Sequence, residues 1–293
     1  MFPSYPDQQG LFNGPDQYRP TKGLMVRVLE DYLKVATNVL PSDTKLSRPS
    51  LWHPDLHGNS IFVDPLQPTK IVSIIDWQAA NISPLFLQVD HPKIIAFEGP
   101  IPSGLKLMHL PDNFDRMTGE EQRQAKDLLA AQSLYKLYDI FTLEQCPDIG
   151  YALQFQDNLF ANITRLAGSV FSDEEPILEG MLIRLQDEWT KHAKSATTCP
   201  LTYIPDNRAR HKELEASWRK GVKLMDDVLG EMGAYHGWDG WVNQANYAVY
   251  KDRLARCREN FLNQHAKTEE ERGQWIRAWP FEEKAHSPTS LYI

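Results

Sequence analysis

The chain is poor in cysteine and contains no long apolar run. Its 293 residues include three cysteines, Cys146, Cys199 and Cys257, which are odd in number and far apart. They therefore fit neither a disulfide framework nor a zinc site, and we expect reduced thiols. No apolar segment approaches the roughly 20 residues that a membrane-spanning helix requires, so the sequence predicts no membrane span.

Clusters of positive charge are also absent. The chain has 31 lysines and arginines against 39 acidic residues, a formal net charge of -8, and its basic residues form no block. This argues against nucleic acid as the principal partner. Residues 1–19 contain a single arginine, unlike an arginine-rich amphipathic transit peptide, so no mitochondrial address is visible. The 42% of hydrophobic residues is ordinary for a globular protein with a substantial core.

The most informative stretch holds two aspartates on either side of a short apolar hairpin. Residues 52–60 read Trp-His-Pro-Asp-Leu-His-Gly-Asn-Ser, and residues 71–77 read Ile-Val-Ser-Ile-Ile-Asp-Trp. This pattern predicts a strand at 61–63, a turn at 65–69 and a second strand at 70–75. Asp55 and Asp76 then lie at the mouth of the hairpin. Phosphoryl transfer uses such a pair, because one aspartate accepts the proton of the attacking hydroxyl and another holds Mg²⁺ on the nucleotide phosphates.

The two acidic motifs, in this order and around a hairpin, resemble the aminoglycoside phosphotransferase family of the protein-kinase-like superfamily. The resemblance is closer to the fungal branch called "altered inheritance of mitochondria" proteins. That branch shares Leu-Phe-Asn-Gly-Pro at 11–15, the Trp-His-Pro-Asp-Leu-His core and Asp-Trp-Gln at 76–78, over residues 9–189. The resemblance implies ATP and Mg²⁺ as cofactors, Asp55 as catalytic base, Asp76 as metal ligand and a mitochondrial location, with the cytoplasm as the alternative. The small-molecule acceptor is unknown.

The chain departs from the family at the second metal ligand. The family has an asparagine five residues after the base, where this chain has Ser60, and Asn59 lies only four residues after. A serine oxygen lies closer to the backbone, so the site is weakened, although a hydroxyl can bind Mg²⁺. Asn59 should point elsewhere on an extended chain unless a bulge redirects it. We expect His57 to orient the catalytic loop by a hydrogen bond and His53 to hold backbone groups near Asp76.

A second departure concerns the phosphate-covering lobe. Kinase-like enzymes cover the phosphates with a Gly-rich loop and pair them with a strand lysine. The 52 residues before His53 contain neither feature. The resemblance therefore predicts a C-terminal lobe without its N-terminal lobe, whose phosphoryl transfer is impaired or lost. Two alternatives stay open, namely a non-catalytic kinase-like helical lobe that acts through protein contacts and a truncated gene product.

The rest of the sequence predicts an α+β, mostly α fold in three segments. These are an irregular N-terminal arm at 1–20, the kinase-like lobe at 21–195 and a helical extension at 196–293. The helical patterns place helices at 21–40, 118–141, 149–170, 172–189, 206–232 and 241–265, with N-caps at Thr21, Thr118 and Ser172.

Two further stretches of the sequence carry weaker signals. Residues 78–113 are predicted to be irregular, and Asp90 and His91 in this stretch are interpreted as turn residues. The last two helices could present a docking surface to a protein partner, but apolar stripes more often mean core packing.

Overall fold

The structure, a computed structural model, describes residues 14–78, 80–97, 100, 104, 108–156, 158–192, 198–234, 242 and 244–281. Helices dominate these residues, together with two small two-stranded antiparallel sheets, which confirms the predicted α+β, mostly α class. The chain divides into two compact units, residues 36–165 and the combination of 1–35 with 166–293. The predicted boundaries at 20/21 and 195/196 stay predictions. None of the described helices is both long enough and apolar enough to cross a bilayer.

The unit formed by residues 36–165 contains all the strands of the described chain. Strand β1 (Pro49–Leu51) pairs with β4 (Ile82–Pro84), and β2 (Ile61–Asp64) pairs with β3 (Gln67–Ile74). Its helices are α2 (Thr44–Ser47), α3 (Leu85–Gln88), α4 (Gly119–Gln145) and α5 (Pro147–Gln156). Their core contains the buried side chains of Leu46, Leu85, Phe86, Val89, Ala152 and Leu153.

The other unit is built from long helices. Its core elements are α7 (Glu175–Asp187), α8 (Trp189–His192), α9 (Pro205–Met232), α10 (Tyr247–His265) and α11 (Glu269–Arg277). Helices α1 (Lys22–Val39) and α6 (Leu159–Gly168) run across the unit boundaries. A shared core of α9, α10 and α11 includes Leu229, Met232, Phe261, Leu262 and Trp275. This confirms core packing for the stripes of the C-terminal helices, whereas a partner on them stays a prediction.

Local capping signals placed several helix starts correctly. The Thr21 hydroxyl accepts a hydrogen bond from the backbone N–H of Leu24 at 3.2 Å, as expected for the residue before α1. Thr118 and Glu121 form the predicted capping box at the start of α4. Residues 14–20 of the predicted arm contain no helix or strand, and residues 1–13 lie outside the described part of the chain.

Other helix boundaries were predicted wrongly. The segment at 149–170 is two helices, because Asn158 interrupts it and caps α6 through a 2.9 Å hydrogen bond from the Ala161 N–H. Ser172 does not cap α7, which begins at Glu175 after Asp173 adopts a left-handed conformation with φ of 62°. Helix α10 begins at Tyr247, after a 3₁₀ turn at Gln244–Asn246, whereas the predicted start at 241 lies outside the described residues. Helix α11 was not predicted. The stretch at 78–113, predicted irregular, contains β4 and α3.

A network of buried ionisable groups joins α1, α7 and α9 within the helical unit. Glu175 and Glu179 on α7 are fully buried. The Tyr18 hydroxyl donates to Glu175, while Arg27 Nη2 lies 2.6 Å from Glu179 Oε1 and His211 Nδ1 lies 3.2 Å from Glu179 Oε2. Burial raises the pKa of Glu175. Burial also opposes ionisation of Glu179, but the hydrogen bond from His211 and the charge of Arg27 outweigh it and lower its pKa.

Candidate functional site

His53 connects the two aspartate-bearing segments. Its Nδ1 accepts a hydrogen bond from the backbone N–H of Asp55 at 3.3 Å, and its Nε2 lies 2.9 Å from the carbonyl oxygen of Ile75. Because Nδ1 is an acceptor, the single proton of a neutral ring sits on Nε2 and is donated to Ile75. The ring also packs edge-on against Trp77 at a centroid distance of 4.9 Å. This confirms the predicted role of His53 in holding the backbone beside Asp76.

The hairpin brings the ends of both motifs to one edge. Ile61 faces Ile74 in the β2–β3 register, and the Ile75 N–H donates to the carbonyl oxygen of Ser60 at 2.9 Å. The loop that carries Asp55 and the turn that carries Asp76 therefore lie at the same end of the hairpin. The turn at the other end is shorter than predicted, because β3 begins at Gln67 and the Asp64 side chain accepts from the Leu66 N–H at 2.9 Å.

Asp76 has an unusual backbone conformation. Its φ is 70°, in the left-handed region that non-glycine residues seldom occupy. The side chain is half-buried, and its carboxylate makes no hydrogen bond or ion pair within the described part of the chain. A carboxylate without a protein partner, held in a costly conformation two residues after a strand, is available to an external cation. Asp55 is more exposed, with 62% of its side-chain surface accessible.

The remaining predicted site residues surround His57. Its Nδ1 accepts a hydrogen bond from the Asn59 N–H at 3.2 Å, which confirms that His57 orders the loop. Its Nε2 lies 3.8 Å from Asp55 Oδ2. The buried Ser60 hydroxyl lies 3.4 Å from His57 Nδ1, whereas Asn59 is exposed. A catalytic role for His57 and metal binding by Ser60 and Asn59 stay predictions.

The donor set restricts the kind of metal site that these residues could build. Across the described ranges, no three His, Cys, Asp or Glu side chains lie together in a way that could hold a metal ion. Mg²⁺ does not require such a cage, since it is commonly bound by one or two carboxylates together with water and substrate phosphates. The Asp76 carboxylate fits that pattern, with the Ser60 and Asn59 oxygens as candidate additional ligands.

The hairpin leaves much of its apolar surface open. Phe62 is 52% exposed, Leu66 90% and Val72 63%. An isolated two-stranded hairpin is marginally stable, so the attachments at its site end matter for its geometry. Those attachments are the bonds from His53 to Ile75 and from Ile75 to Ser60.

His91 also has a structural role, which the sequence did not predict. His91 Nε2 lies 2.7 Å from Asp139 Oδ1 on α4, and the Tyr135 hydroxyl lies 3.0 Å from His91 Nδ1. Lys136 Nζ donates to the other Asp139 oxygen at 2.7 Å. The interpretation of His91 as a turn residue overlooked these contacts. The lysine and aspartate three positions apart were a local signal, but nothing in the sequence linked them to a histidine 48 residues earlier.

Together these features define a mostly helical protein with a small hairpin that presents two aspartates at one edge. The chain is similar to a subtelomeric hrmA-associated cluster protein of Aspergillus fumigatus, with 26% identity over 226 residues, covering 76% of this chain and 44% of that protein. It is also similar to the protein named altered inheritance of mitochondria protein 9, mitochondrial, with 23% identity and 64% of this chain covered. The match spans 200 residues in Kluyveromyces lactis and 197 in Saccharomyces cerevisiae.

These comparisons show distant homology and confirm the likeness to "altered inheritance of mitochondria" proteins at that level. The chain spans less than half the length of these relatives, 44% of the Aspergillus protein and 30% of the yeast proteins. No protein-family model matches the chain. No solved structure matches it.

Proposed function

We propose that the Asp55–Asp76 edge binds a nucleotide with Mg²⁺ and transfers a phosphoryl group to a small-molecule hydroxyl, in the manner of kinase-like phosphotransferases. The observation that carries this proposal is the unpaired carboxylate of Asp76, held at φ 70° two residues after the end of β3. His53 links the backbone beside Asp76 to the loop of Asp55, so that the two acidic groups share one support. The order of the two aspartates around a hairpin supports the proposal, because kinase-like enzymes use two acidic motifs for the base and the metal.

The residues have distinct roles in this proposal. Asp76 binds the cation, and the bound Mg²⁺ would neutralise charge on the phosphates. Asp55, exposed at the loop, accepts the proton of the acceptor hydroxyl. His57 orders the loop through the Asn59 N–H, and His53 keeps the loop and the Asp76 turn in register. Positioning supplies most of the catalysis in such reactions, so this backbone support matters as much as the acids.

Nucleotide binding can be tested with a variant that is compatible with the left-handed backbone conformation of Asp76. Asparagine tolerates the left-handed region and keeps the side-chain shape, so Asp76→Asn removes the charge without adding strain. We expect saturable binding of ATP with Mg²⁺ by isothermal calorimetry, and a loss of at least about tenfold in Asp76→Asn, the effect known for even indirect metal-site partners. Asp64→Asn, which removes a carboxylate at the far end of the hairpin, is the matched control. Absence of saturable binding by the unaltered chain would refute the proposal.

A second candidate function is a non-catalytic helical lobe that acts through protein contacts. The observation that favours it is the buried Ser60, which stands where the kinase-like family has an asparagine as second metal ligand. Under this candidate the chain has no ATP turnover, so Asp55→Asn has no effect on it. Substrate-dependent ATP turnover that disappears in Asp55→Asn would decide for the enzyme.

We further propose a mitochondrial location, because the names of the yeast relatives include that organelle. The expected result is that the full chain, tagged at its C-terminus and expressed in yeast, co-sediments with a mitochondrial matrix or membrane marker and resists added protease in intact organelles. Recovery in the cytosolic fraction alone would contradict this location and leave the proposed chemistry untouched.

A further inference from the structure

The most complete polar cluster outside the Asp55–Asp76 edge is formed by His91 and three residues of α4. Asp139 Oδ1 lies 2.7 Å from His91 Nε2, and Asp139 Oδ2 lies 2.7 Å from Lys136 Nζ. The Tyr135 ring stacks on the His91 ring at a centroid distance of 3.8 Å with planes 13° apart, and its hydroxyl lies 3.0 Å from His91 Nδ1. Most of this cluster is shielded, with 18% of His91 and 9% of the Lys136 side chain exposed.

The contacts of His91 are those of a structural side chain. Burial opposes ionisation of Asp139, but the hydrogen bonds from His91 and Lys136 outweigh it and lower the pKa of this carboxyl. Asp139 is thus an acceptor, and the ring proton of a neutral His91 sits on Nε2 and points at it. The Tyr135 hydroxyl lies 3.0 Å from the other nitrogen, Nδ1, and the Tyr135 ring covers the face of the imidazole. Since Nε2 is bound to Asp139 and the ring face is covered, the cluster is suited to hold a segment in place rather than to react.

The segment that this cluster holds reaches the loop of Asp55. His91 is followed by Pro92 and by a 3₁₀ turn at Lys93–Ile95. Within that turn the Ile94 N–H donates to the carbonyl oxygen of Leu56 at 3.0 Å. Leu56 is the residue after Asp55. Only two residues separate the His91 anchor from a backbone hydrogen bond to the loop.

The same segment is fixed on its other side by α5. The Gln156 side chain donates to the carbonyl oxygen of Val89, two residues before His91. The Asp90 side chain accepts from the His91 N–H at 2.7 Å and so closes the local turn. A segment held to α5 at Val89 and to α4 at His91 presents the Ile94 N–H in a defined position.

We propose that the His91–Asp139 pair is a positioning site for the loop that carries Asp55, acting through the Ile94–Leu56 hydrogen bond. Asp55 is exposed and its own contacts come from within the loop, from His53 and His57. The Ile94–Leu56 bond ties that loop to the helical body of the unit. A catalytic role for this loop rests on the proposed function, whereas its link to α4 through Ile94 and His91 does not. The loop would be held by α4 whether or not phosphoryl transfer occurs.

Hydrogen exchange of the intact chain, followed by mass spectrometry, tests this link without any assay of activity. The variant His91→Phe keeps the stack on Tyr135 and loses the hydrogen bond to Asp139. We expect exchange in peptides covering 53–60 to become about tenfold faster, as for loss of one hydrogen bond to a charged group. Glu120→Gln, which removes an exposed carboxylate from the same helix, is the matched control and should leave these peptides unchanged.

Two further variants separate positioning from general destabilisation. His91→Gln retains a donor at the place of Nε2 and should restore much of the protection of 53–60. Tyr135→Phe removes only the hydroxyl and should produce a smaller increase in exchange than His91→Phe. The proposal is overturned if 91–97 exchanges faster while 53–60 keeps its protection, or if α4 and α5 lose protection to the same extent as the loop.

The outcome is independent of nucleotide binding. Faster loop exchange in His91→Phe supports the positioning role even if the unaltered chain fails to bind ATP with Mg²⁺. Unchanged loop exchange refutes the positioning role even if the nucleotide binds normally.

Discussion

Replacement of Glu179 by alanine is expected to destabilise the helical unit by about 3 kcal/mol, the lower end of the cost of breaking a buried ion pair. Glu179 is fully buried, and its carboxylate is the partner of both Arg27 and His211. Its removal leaves Arg27 without this carboxylate and leaves Glu215, 3.5 Å from His211 Nε2, as the remaining acidic partner of His211. The lower end applies because about a third of the Arg27 side chain is exposed, at 32%, and regains some water.

Urea unfolding monitored by circular dichroism measures this loss. Arg184→Ala is a suitable control, because the Arg184 side chain on the same helix is 60% exposed and forms an ion pair with Glu188. Surface pairs of that kind contribute between zero and about 1 kcal/mol. A loss below that level for Glu179→Ala would show that the buried network does not hold α1 and α9 to α7.

The pH dependence of the effect has a defined sign. The folded-state pKa of Glu179 is lowered, so its stabilisation is present above the ordinary glutamate pKa of about 4.3 and is lost as the pH falls through the lower folded value. The difference in stability between the unaltered chain and Glu179→Gln should therefore shrink as the pH falls below about 4.3. A difference that grows on acidification would contradict the assignment of Glu179 as a carboxylate in the folded state.

Replacement of Trp275 by alanine is expected to cost about 3–5 kcal/mol, as for other buried tryptophans. Trp275 on α11 is 4% exposed, and its ring packs edge-on against Phe261 of α10 at a centroid distance of 5.1 Å. The indole also covers Gly14, where an added Cβ would lie 2.0 Å from the ring atom Cζ3. The indole is thus a contact shared by α10, α11 and the segment that precedes α1.

A double-mutant cycle separates the two contacts of Trp275. Gly14→Ala alone should cost about 1–3 kcal/mol through overpacking, and this cost should largely vanish in the Trp275→Ala background. Tyr247→Ala on α10, whose side chain is 53% exposed, is the control for loss of an aromatic ring and should change stability little. Additive costs for Gly14→Ala and Trp275→Ala would show that the glycine does not lie against the indole.

Local sequence signals explain the parts of the fold that were predicted correctly. Thr21 and Thr118 act on backbone N–H groups three residues away, and two short apolar runs on either side of a turn specify a hairpin. The capping signals predicted the wrong helix boundary where one apolar pattern contained two possible helix starts. Asn158 caps a separate helix, α6, within the segment that was predicted as one helix. Helix α7 begins after Asp173, which has a left-handed backbone, and not at Ser172.

The candidate site, like the fold, was predicted in part. The order of Asp55, the hairpin and Asp76 followed from the sequence, as did the supporting role of His53. The left-handed backbone of Asp76 did not, because aspartate adopts that conformation only where surrounding contacts hold it there.

The sequence by itself determined most of the long helices, the hairpin and the two acidic motifs, because each depends on residues a few positions apart. Only the tertiary structure paired His91 with Asp139, 48 residues later, and Tyr18 with Glu175, 157 residues later. Many carboxylates in the chain could accept such bonds, and the packing of helices selects which one is within reach. Burial makes these pairs matter for the stability of the fold, because a polar group removed from water is costly unless its partner is present.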